Sequence, residues 1–314
     1  MPRATVLMTV YNAAPYLREC VLSIMQQTFT DFECWIVNDG STDDTESVLK
    51  TFDDPRIRVF HNTENRGIAE SLNTYLPLIR TQYIIRMDAD DVCLPDRFEK
   101  QLAFMDSHPE VVLSGGALSY FGARAYTWTP PITHEEIAAC LWFNSAVPNP
   151  AVILRSDLVI KNGLLYDTTF AHPPMEDYVL QIEAVRYGKL ANLMQVMVRH
   201  REHGLNQSSI YRHHKLENMM RVYAMIFDAS GVSYTPRQLE LHFHFVYASP
   251  QSTTYSPMEY EAWILKLLHH YPNKTYFRAE LKRRQWTFLR HWIKQPKAFF
   301  RLLVFLYKVQ SGKV

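Results

Sequence analysis

Arg86-Met87-Asp88-Ala89-Asp90-Asp91 sets three carboxylates within four residues, directly behind the apolar run Tyr83-Ile84-Ile85. A run of this kind reads as a buried strand. In an extended backbone, residues two apart project to the same side, so Asp88 and Asp90 are expected to converge. Carboxylates that close repel one another unless a positive charge lies between them. Hard oxygen donors suit Mg2+ or Mn2+, and such an ion suits a substrate that carries phosphate. A solvated acidic loop ahead of the helix that Pro95 opens would account for Asp96 and Asp91, but not for the pair at the strand exit.

Three more clusters follow apolar runs in the same half of the chain. Thr9-Val10-Tyr11-Asn12 offers an aromatic face for a base and an amide for turn backbone groups. In Asn38-Asp39-Gly40-Ser41-Thr42-Asp43-Asp44, Ser41 and Asp44 have the spacing of a helix cap with an acidic return partner, and Gly40 frees the turn. Asp39 is then left over, and its carboxylate could accept a hydrogen bond from a base ring N–H. Asn65-Arg66-Gly67 places an arginine at a glycine turn before a helix, where anions are already favoured. Farther on, Glu176-Asp177 opens a helix expected over 178–187, whose N-terminal end should hold a carboxylate ionised and fit to act as a base. His134, His213 and His214 lack such surroundings and are assigned to surface or packing roles.

The elements that must position these groups alternate in type. Apolar runs predict strands over 5–9, 34–37, 57–60, 83–87 and 111–113. Tyr16, Leu17, Val21, Leu22 and Ile24 mark one helix, and others are expected over about 42–52, 68–79 and 95–107. Repeated β-α-β units imply a mostly parallel sheet with its ligand beyond the strands' carboxyl ends. From about 115 to 203 the pattern is irregular and proline-rich, with loops around 128–149 and 172–174 expected to shape a pocket. Beyond 209 it is almost wholly helical, with helices over about 211–228, 236–247, 257–270, 276–293 and 296–309. The domains expected are therefore 1–210 and 211–314.

The chain has 314 residues, 47% hydrophobic and 21% charged, which is ordinary for a protein with a real core. Its four cysteines are scattered, so neither structural zinc nor a disulfide framework is expected, and a reducing, cytoplasmic setting is. No run reaches transmembrane length. Charge is uneven: residues 277–314 hold ten Lys/Arg and one acid, Glu280, a balance of +9 that leaves −8 elsewhere in a chain of net +1. Within 277–309, tryptophan, phenylalanine and leucine alternate with cations. That composition fits helices lying on an anionic membrane surface, at the inner face of the cell membrane, and equally a helical pair packed inward with a solvated cationic face. An acidic remainder with no reading motif argues against nucleic acid.

In order and spacing, the clusters together resemble glycosyltransferase family 2, the inverting nucleotide-sugar transferases of the GT-A fold, over about residues 5–209. The match is most specific at Val37-Asn38-Asp39-Gly40-Ser41-Thr42-Asp43 and at Arg86–Asp91 with Pro95-Asp96-Arg97. The resemblance implies a Rossmann-like α/β nucleotide-sugar domain followed by a helical region, of the bacterial polysaccharide type. It implies that Tyr11 and Asp39 hold the base, most often uracil, and that Thr9, Asn12, Arg66, Asp88 and Ala89 complete the donor site. Asp90 would ligate Mn2+ or Mg2+. Met175-Glu176-Asp177-Tyr178 matches the family's Glu-Asp element, whose aspartate is the general base. His200-Arg201-Glu202-His203, with Gln207 and Ser208, resembles its Tyr-Arg-x-His segment, which leaves either His203 or His200 as a further ligand; Asp91 and Arg201 lie beside them. The chain departs from the family in having Asn149-Pro150 where a His-Pro pair is common. The implied activity is sugar transfer from a UDP-sugar to a hydroxyl of a glycan or lipid-linked acceptor. The alternatives are a sugar-nucleotide pyrophosphorylase, which would want an N-terminal glycine-rich loop, and a non-catalytic glycan-binding module.

Overall fold

The computed structural model describes residues 1–170, 175–204 and 215–313. His172-Pro173-Pro174, Gln207, Ser208, His213 and His214 lie outside the described residues. The chain divides into two compact units, residues 1–137 with 145–210, and residues 138–144 with 211–314.

The first unit begins with four strands: β1 (Ala4–Val10), β2 (Phe32–Asp39) and β4 (Tyr83–Asp88), whose apolar runs are buried nearly throughout, and the edge strand β3 (Ile57–Asn62), whose residues are half-buried or exposed. They pair in parallel in the order β3-β2-β1-β4. Helices α1 (Ala14–Met25), α2 (Thr45–Leu49), α3 (Ile68–Tyr75) and α4 (Arg97–Ser107) make the connections. From β1 the chain moves out through β2 to β3, then returns to β4 on the other side of β1. Such a reversal opens a crevice beyond the strands' carboxyl ends, where Thr9 stands opposite Asp88. Helix α3 stops short of the expected 79 because Pro77 turns the chain into a 3-10 segment, Leu76–Leu78.

The stretch from 115 to 203, expected to be irregular, is mostly regular. After the short β5 (Val92–Cys93), the twelve-residue β6 (Val111–Gly122) and the fourteen-residue β9 (Lys189–Glu202) run parallel. Between them lie β7 (Tyr126–Trp128), α5 (His134–Cys140), β8 (Ile153–Arg155), α6 (Ser156–Asn162) and α7 (Glu176–Ala184). Antiparallel β8 joins β4 to β6, which makes nine strands among the described residues. Gly115 and Gly116 disguise β6 in the sequence, because glycine weakens a strand signal. They serve close packing: a Cβ on Gly115 would lie 2.5 Å from Val147 Cγ1, and one on Gly116 2.4 Å from Met197 Cγ.

The second unit holds α8 (Lys215–Ala229), α9 (Pro236–Val246), α10 (Pro257–His270), α11 (Lys274–Leu289) and α12 (Pro296–Gln310). Three of these start on proline at the first helical position, and Thr235 with Gln238 and Ser256 with Glu259 close capping boxes. Residues 138–144, expected in the first domain, belong here. The cause is apolar: Trp142 and Phe143 pack edge-on or tilted against Phe227, Phe245, Tyr271 and Phe277. Buried His242 links them, with Nε2 2.9 Å from the Trp142 carbonyl and Nδ1 accepting the Trp263 indole N–H at 3.1 Å. Burial lowers its pKa to about 3. No described helix is long and apolar enough to cross a membrane.

Candidate active site

The loops after β1 and β2 are tied to each other. Asn12 sits at φ +49°, and its Oδ1 accepts the Thr42 N–H at 2.8 Å while its own N–H donates to Ser41 Oγ at 3.1 Å. Ala14 N–H donates to Asp43 Oδ2 at 3.1 Å, and Ala13 N–H to Thr45 Oγ1. The expected Ser41–Asp44 cap is therefore incorrect. Asp44 is the N-cap of α2 and makes no side-chain cap bond, because Ser41 is engaged by the first loop. Tyr11 projects from this shelf, roughly half exposed.

Asp39 is buried, and its carboxylate is largely occupied. Oδ1 accepts from Asn62 Nδ2 at 2.7 Å, Ser71 Oγ at 2.8 Å and Arg66 N at 3.0 Å, and Oδ2 accepts from Gly67 N at 2.9 Å. It thus pins the Asn65-Arg66-Gly67 turn to the end of β2 and keeps one acceptor position, on Oδ2. Gly40, at φ +67°, lets that turn come close: a Cβ there would lie 2.5 Å from the Glu64 carbonyl carbon. The Arg66 side chain is exposed beside it.

The acidic cluster departs from simple strand alternation. Strand β4 ends at Asp88 and a turn begins at Ala89. Two residues earlier on the same strand lies fully buried Arg86, whose Nη2 is 3.2 Å from Asp88 Oδ1. Enclosure by protein raises the Asp88 pKa, opposed by Arg86 and reinforced by Asp90. Asp90 instead faces β9, with Oδ2 2.9 Å from His203 Nε2, and His203 stacks on Tyr16 at 4.7 Å. Asp91 turns inward. Its Oδ2 lies 2.9 Å from His200 Nδ1, and its Oδ1 accepts the Arg201 N–H at 2.8 Å. Burial of His200 alone would lower its pKa, but the hydrogen bond and charge of Asp91 outweigh this and raise it. The Arg201 guanidinium holds the Asp90 carbonyl at 2.9 Å and pairs with Glu19.

Of the candidate metal ligands, Asp90 and His203 are brought together, in direct contact with each other. Among the described residues no set of three or more His, Cys, Asp or Glu is placed to hold an ion. The Asp90 carboxylate fits Mg2+ or Mn2+, which are held through one or two carboxylates and complete their shell with phosphate and water. The His203 imidazole is a softer donor that would favour Mn2+ over Mg2+. The pair does not fit a self-sufficient structural ion site.

Glu176 and Asp177 begin α7, which Gln181 fixes in place. From the second turn, buried Gln181 Oε1 accepts the Ala146 and Val147 N–H groups, each at 2.9 Å, and Nε2 donates to Ser145 Oγ and the Val147 carbonyl. The helix end does not offset burial at these carboxyls, and Glu176 departs furthest from the ready ionisation expected of a carboxylate there. Burial raises Glu176 to about 8, with Asp177 adding to it, and raises Asp177 to about 6, with Asp88 adding there. A helix terminus is worth about 1 kcal/mol at exposed sites, and desolvation here exceeds it. Asp177 Oδ1 accepts the Tyr178 N–H at 2.8 Å.

Sequence reasoning missed the polar lining beneath this pair. Tyr166, whose hydroxyl is pushed up to about 12 by burial, is near enough to Arg86, Glu176, Asp88 and Asp177 to respond to their charges. Arg86 Nε, the Tyr166 hydroxyl and Glu176 Oε2 are buried without hydrogen-bond partners among the described residues. Leaving such atoms unmet costs about 1–3 kcal/mol each, a cost that a polar ligand would relieve. Tyr166 carries no motif that could have marked it.

A mostly parallel nucleotide-type sheet with an acid cluster at its switch point, followed by helices, is the architecture of the GT-A fold. The chain belongs to glycosyl transferase family 2, whose sequence profile matches residues 5–157. It is 31% identical over 234 residues to an uncharacterized glycosyltransferase of Haemophilus influenzae, covering 70% of this chain and 72% of the relative. Its fold resembles that of residues 1–349 of S. aureus TarS in complex with UDP-GlcNAc, with a TM-score of 0.64, 18% identity and coverage of 99% and 92%. It also resembles the mannosyltransferase PcManGT of Pyrobaculum calidifontis in complex with GDP-Man and Mn2+, with a TM-score of 0.58, 16% identity and coverage of 100% and 88%. The protein is a glycosyltransferase, which sets aside the pyrophosphorylase and the non-catalytic module.

Proposed function

We propose that this glycosyltransferase works with inversion, moving a sugar from a UDP-sugar to a hydroxyl of a glycan or lipid-linked saccharide. The observation that carries this reading is the placement of Asp177 at the start of α7, beside a second carboxyl and near enough to Asp88 of the acid cluster to respond to its charge, with burial raising its pKa so that it can take up a proton. The UDP-GlcNAc bound by TarS supports the choice of donor nucleotide.

Tyr11 gives the base a face to lie on, and the remaining acceptor position on Asp39 Oδ2 meets a ring N–H. Thr9, Asn12, Asp88 and Ala89 line the path of the ribose and diphosphate, and Arg66 faces phosphate. Asp90 and His203 would hold Mn2+ or Mg2+, which when bound supplies charge neutralisation to the departing diphosphate. His200, paired with Asp91, and Arg201, on the Asp90 carbonyl, are positioning residues for that half of the site. Glu176, Tyr166 and Arg86 present polar atoms to the sugar. Asp177 removes the acceptor hydroxyl's proton as its oxygen attacks the anomeric carbon from the face opposite the leaving group. An α-linked donor then gives a β-linkage.

Asp177→Asn tests this. Turnover is expected to fall about 10²–10⁴-fold, the usual contribution of a general base, while calorimetry shows donor binding close to wild type. Unchanged turnover would show that another group takes the proton.

A further inference from the structure

Helix α12 buries Leu302, Phe305, Leu306 and Val309, yet leaves Phe300 62%, Val304 50% and Tyr307 61% exposed. Positions 300, 304 and 307 are spaced i, i+4, i+7, so these three large apolar side chains form one stripe. At 100° per residue, Lys297, Arg301 and Lys308 fall together along one border of it. All three cations are exposed. Beside the stripe, α10 contributes Leu265 to a groove of about 510 Å³. The groove's acid, Glu261, is neutralised by Arg301, whose Nε and Nη2 lie 2.6 and 2.7 Å from its two oxygens. Just ahead of the helix, Ile293 is 66% exposed in the company of Arg290 and Lys294.

Charge decides what covers this face. Within 277–314 the ten cations meet one acid, Glu280, which is buried and held by Arg283 and Arg284; Glu261 of α10 pairs with Arg301, and Lys297 and Lys308 stay exposed on the border of the stripe. A second copy docking through the same patch would set these cations against themselves, since a two-fold interface pairs a surface with itself. An anionic bilayer supplies both a hydrocarbon edge for the stripe and negative headgroups for its border. Helix α12 has 15 residues, and no described helix can span a bilayer, so an in-plane arrangement is the one open to it.

We propose that the stripe Phe300–Val304–Tyr307, bordered by Lys297, Arg301 and Lys308, docks the protein on an anionic lipid bilayer with α12 lying in the interface. This goes beyond the catalytic reading and does not rest on it. The test is co-sedimentation of the full chain with vesicles of phosphatidylcholine alone or mixed with phosphatidylglycerol. Binding is expected to the mixed vesicles, to be weaker without the anionic lipid, and to decline with salt. Replacing Phe300, Val304 and Tyr307 together by Ser should abolish it while leaving the thermal midpoint unchanged, since all three are exposed. Lys297→Gln and Lys308→Gln should each lower the partition about five-fold, the equivalent of about 1 kcal/mol per cation. Failure to bind the mixed vesicles, or binding that survives the triple change, overturns the proposal. So does a self-associating species in sedimentation velocity that the triple change abolishes without any vesicle binding, which would assign the face to a second copy.

Discussion

Burial, with a second carboxyl beside it, raises the pKa of Glu176 above the ordinary carboxylate range; the residue is only 4% exposed. Its folded pKa stands above the ordinary 4.5, so its contribution to stability is complete below that value and is lost as pH rises through about 8. The ligand-free protein should accordingly show a falling thermal midpoint between pH 5 and 8, and Glu176→Gln, which cannot ionise, should flatten that slope. Calorimetric scans across the range check both. The place of this pair at a helix start was legible in the sequence, but the upward shift at Glu176 was not. A helix end argues for ionisation, and burial, which one sequence does not reveal, opposes it most strongly at Glu176. Asp39 shows the same gap. Its place at the end of β2 could be read, but the four bonds that hold it come from Asn62, Arg66, Gly67 and Ser71, none marked as its partner.

Helix α7 delivers both carboxyls, and a single amide sets its position. Gln181→Leu would strand two N–H donors and one carbonyl of residues 146 and 147 in the interior. At about 1–3 kcal/mol for each unmet group, and with partial relaxation, a loss of about 2–4 kcal/mol is expected in urea unfolding. Gln181→Glu, which keeps the acceptor oxygens, should lose less. Strands β1, β2 and β4 were legible because strands buried on both faces form continuous apolar runs. Strand β9 was not, since its exposed and buried residues alternate with bulges in register against β6, and polar residues such as Asn192 and Arg199 break the run. Helices α9, α10 and α12 announced themselves through proline at their first position.

At the scale of the whole molecule, the two units draw on different stabilising interactions. The second is organised around aromatic rings and His242, whose nitrogens join the carbonyl of Trp142 to the indole of Trp263. A histidine with a depressed folded pKa keeps its stabilising contribution above its ordinary 6.5 and loses it as pH falls from there toward about 3. Acid unfolding followed by tryptophan fluorescence should therefore begin below pH 6.5. His242→Phe should remove that acid sensitivity and cost about 2–4 kcal/mol at neutral pH, because two buried polar groups lose their partner. Division near residue 210 could be seen in the change to helical periodicity. The allegiance of residues 138–144 could not, since a seven-residue apolar insertion carries no periodicity of its own.

The clamp of Asp39 on the turn ahead of α3, and of Asn12 on Thr42, leaves the floor beneath the proposed nucleoside position rigid before any donor arrives. Freezing a loop at the moment of binding takes about 1–2 kcal/mol per residue in lost backbone freedom. Here that ordering is complete once the chain has folded. Under the proposed donor placement, preference among nucleotides then rests on the fit of each base to a surface already ordered by these bonds.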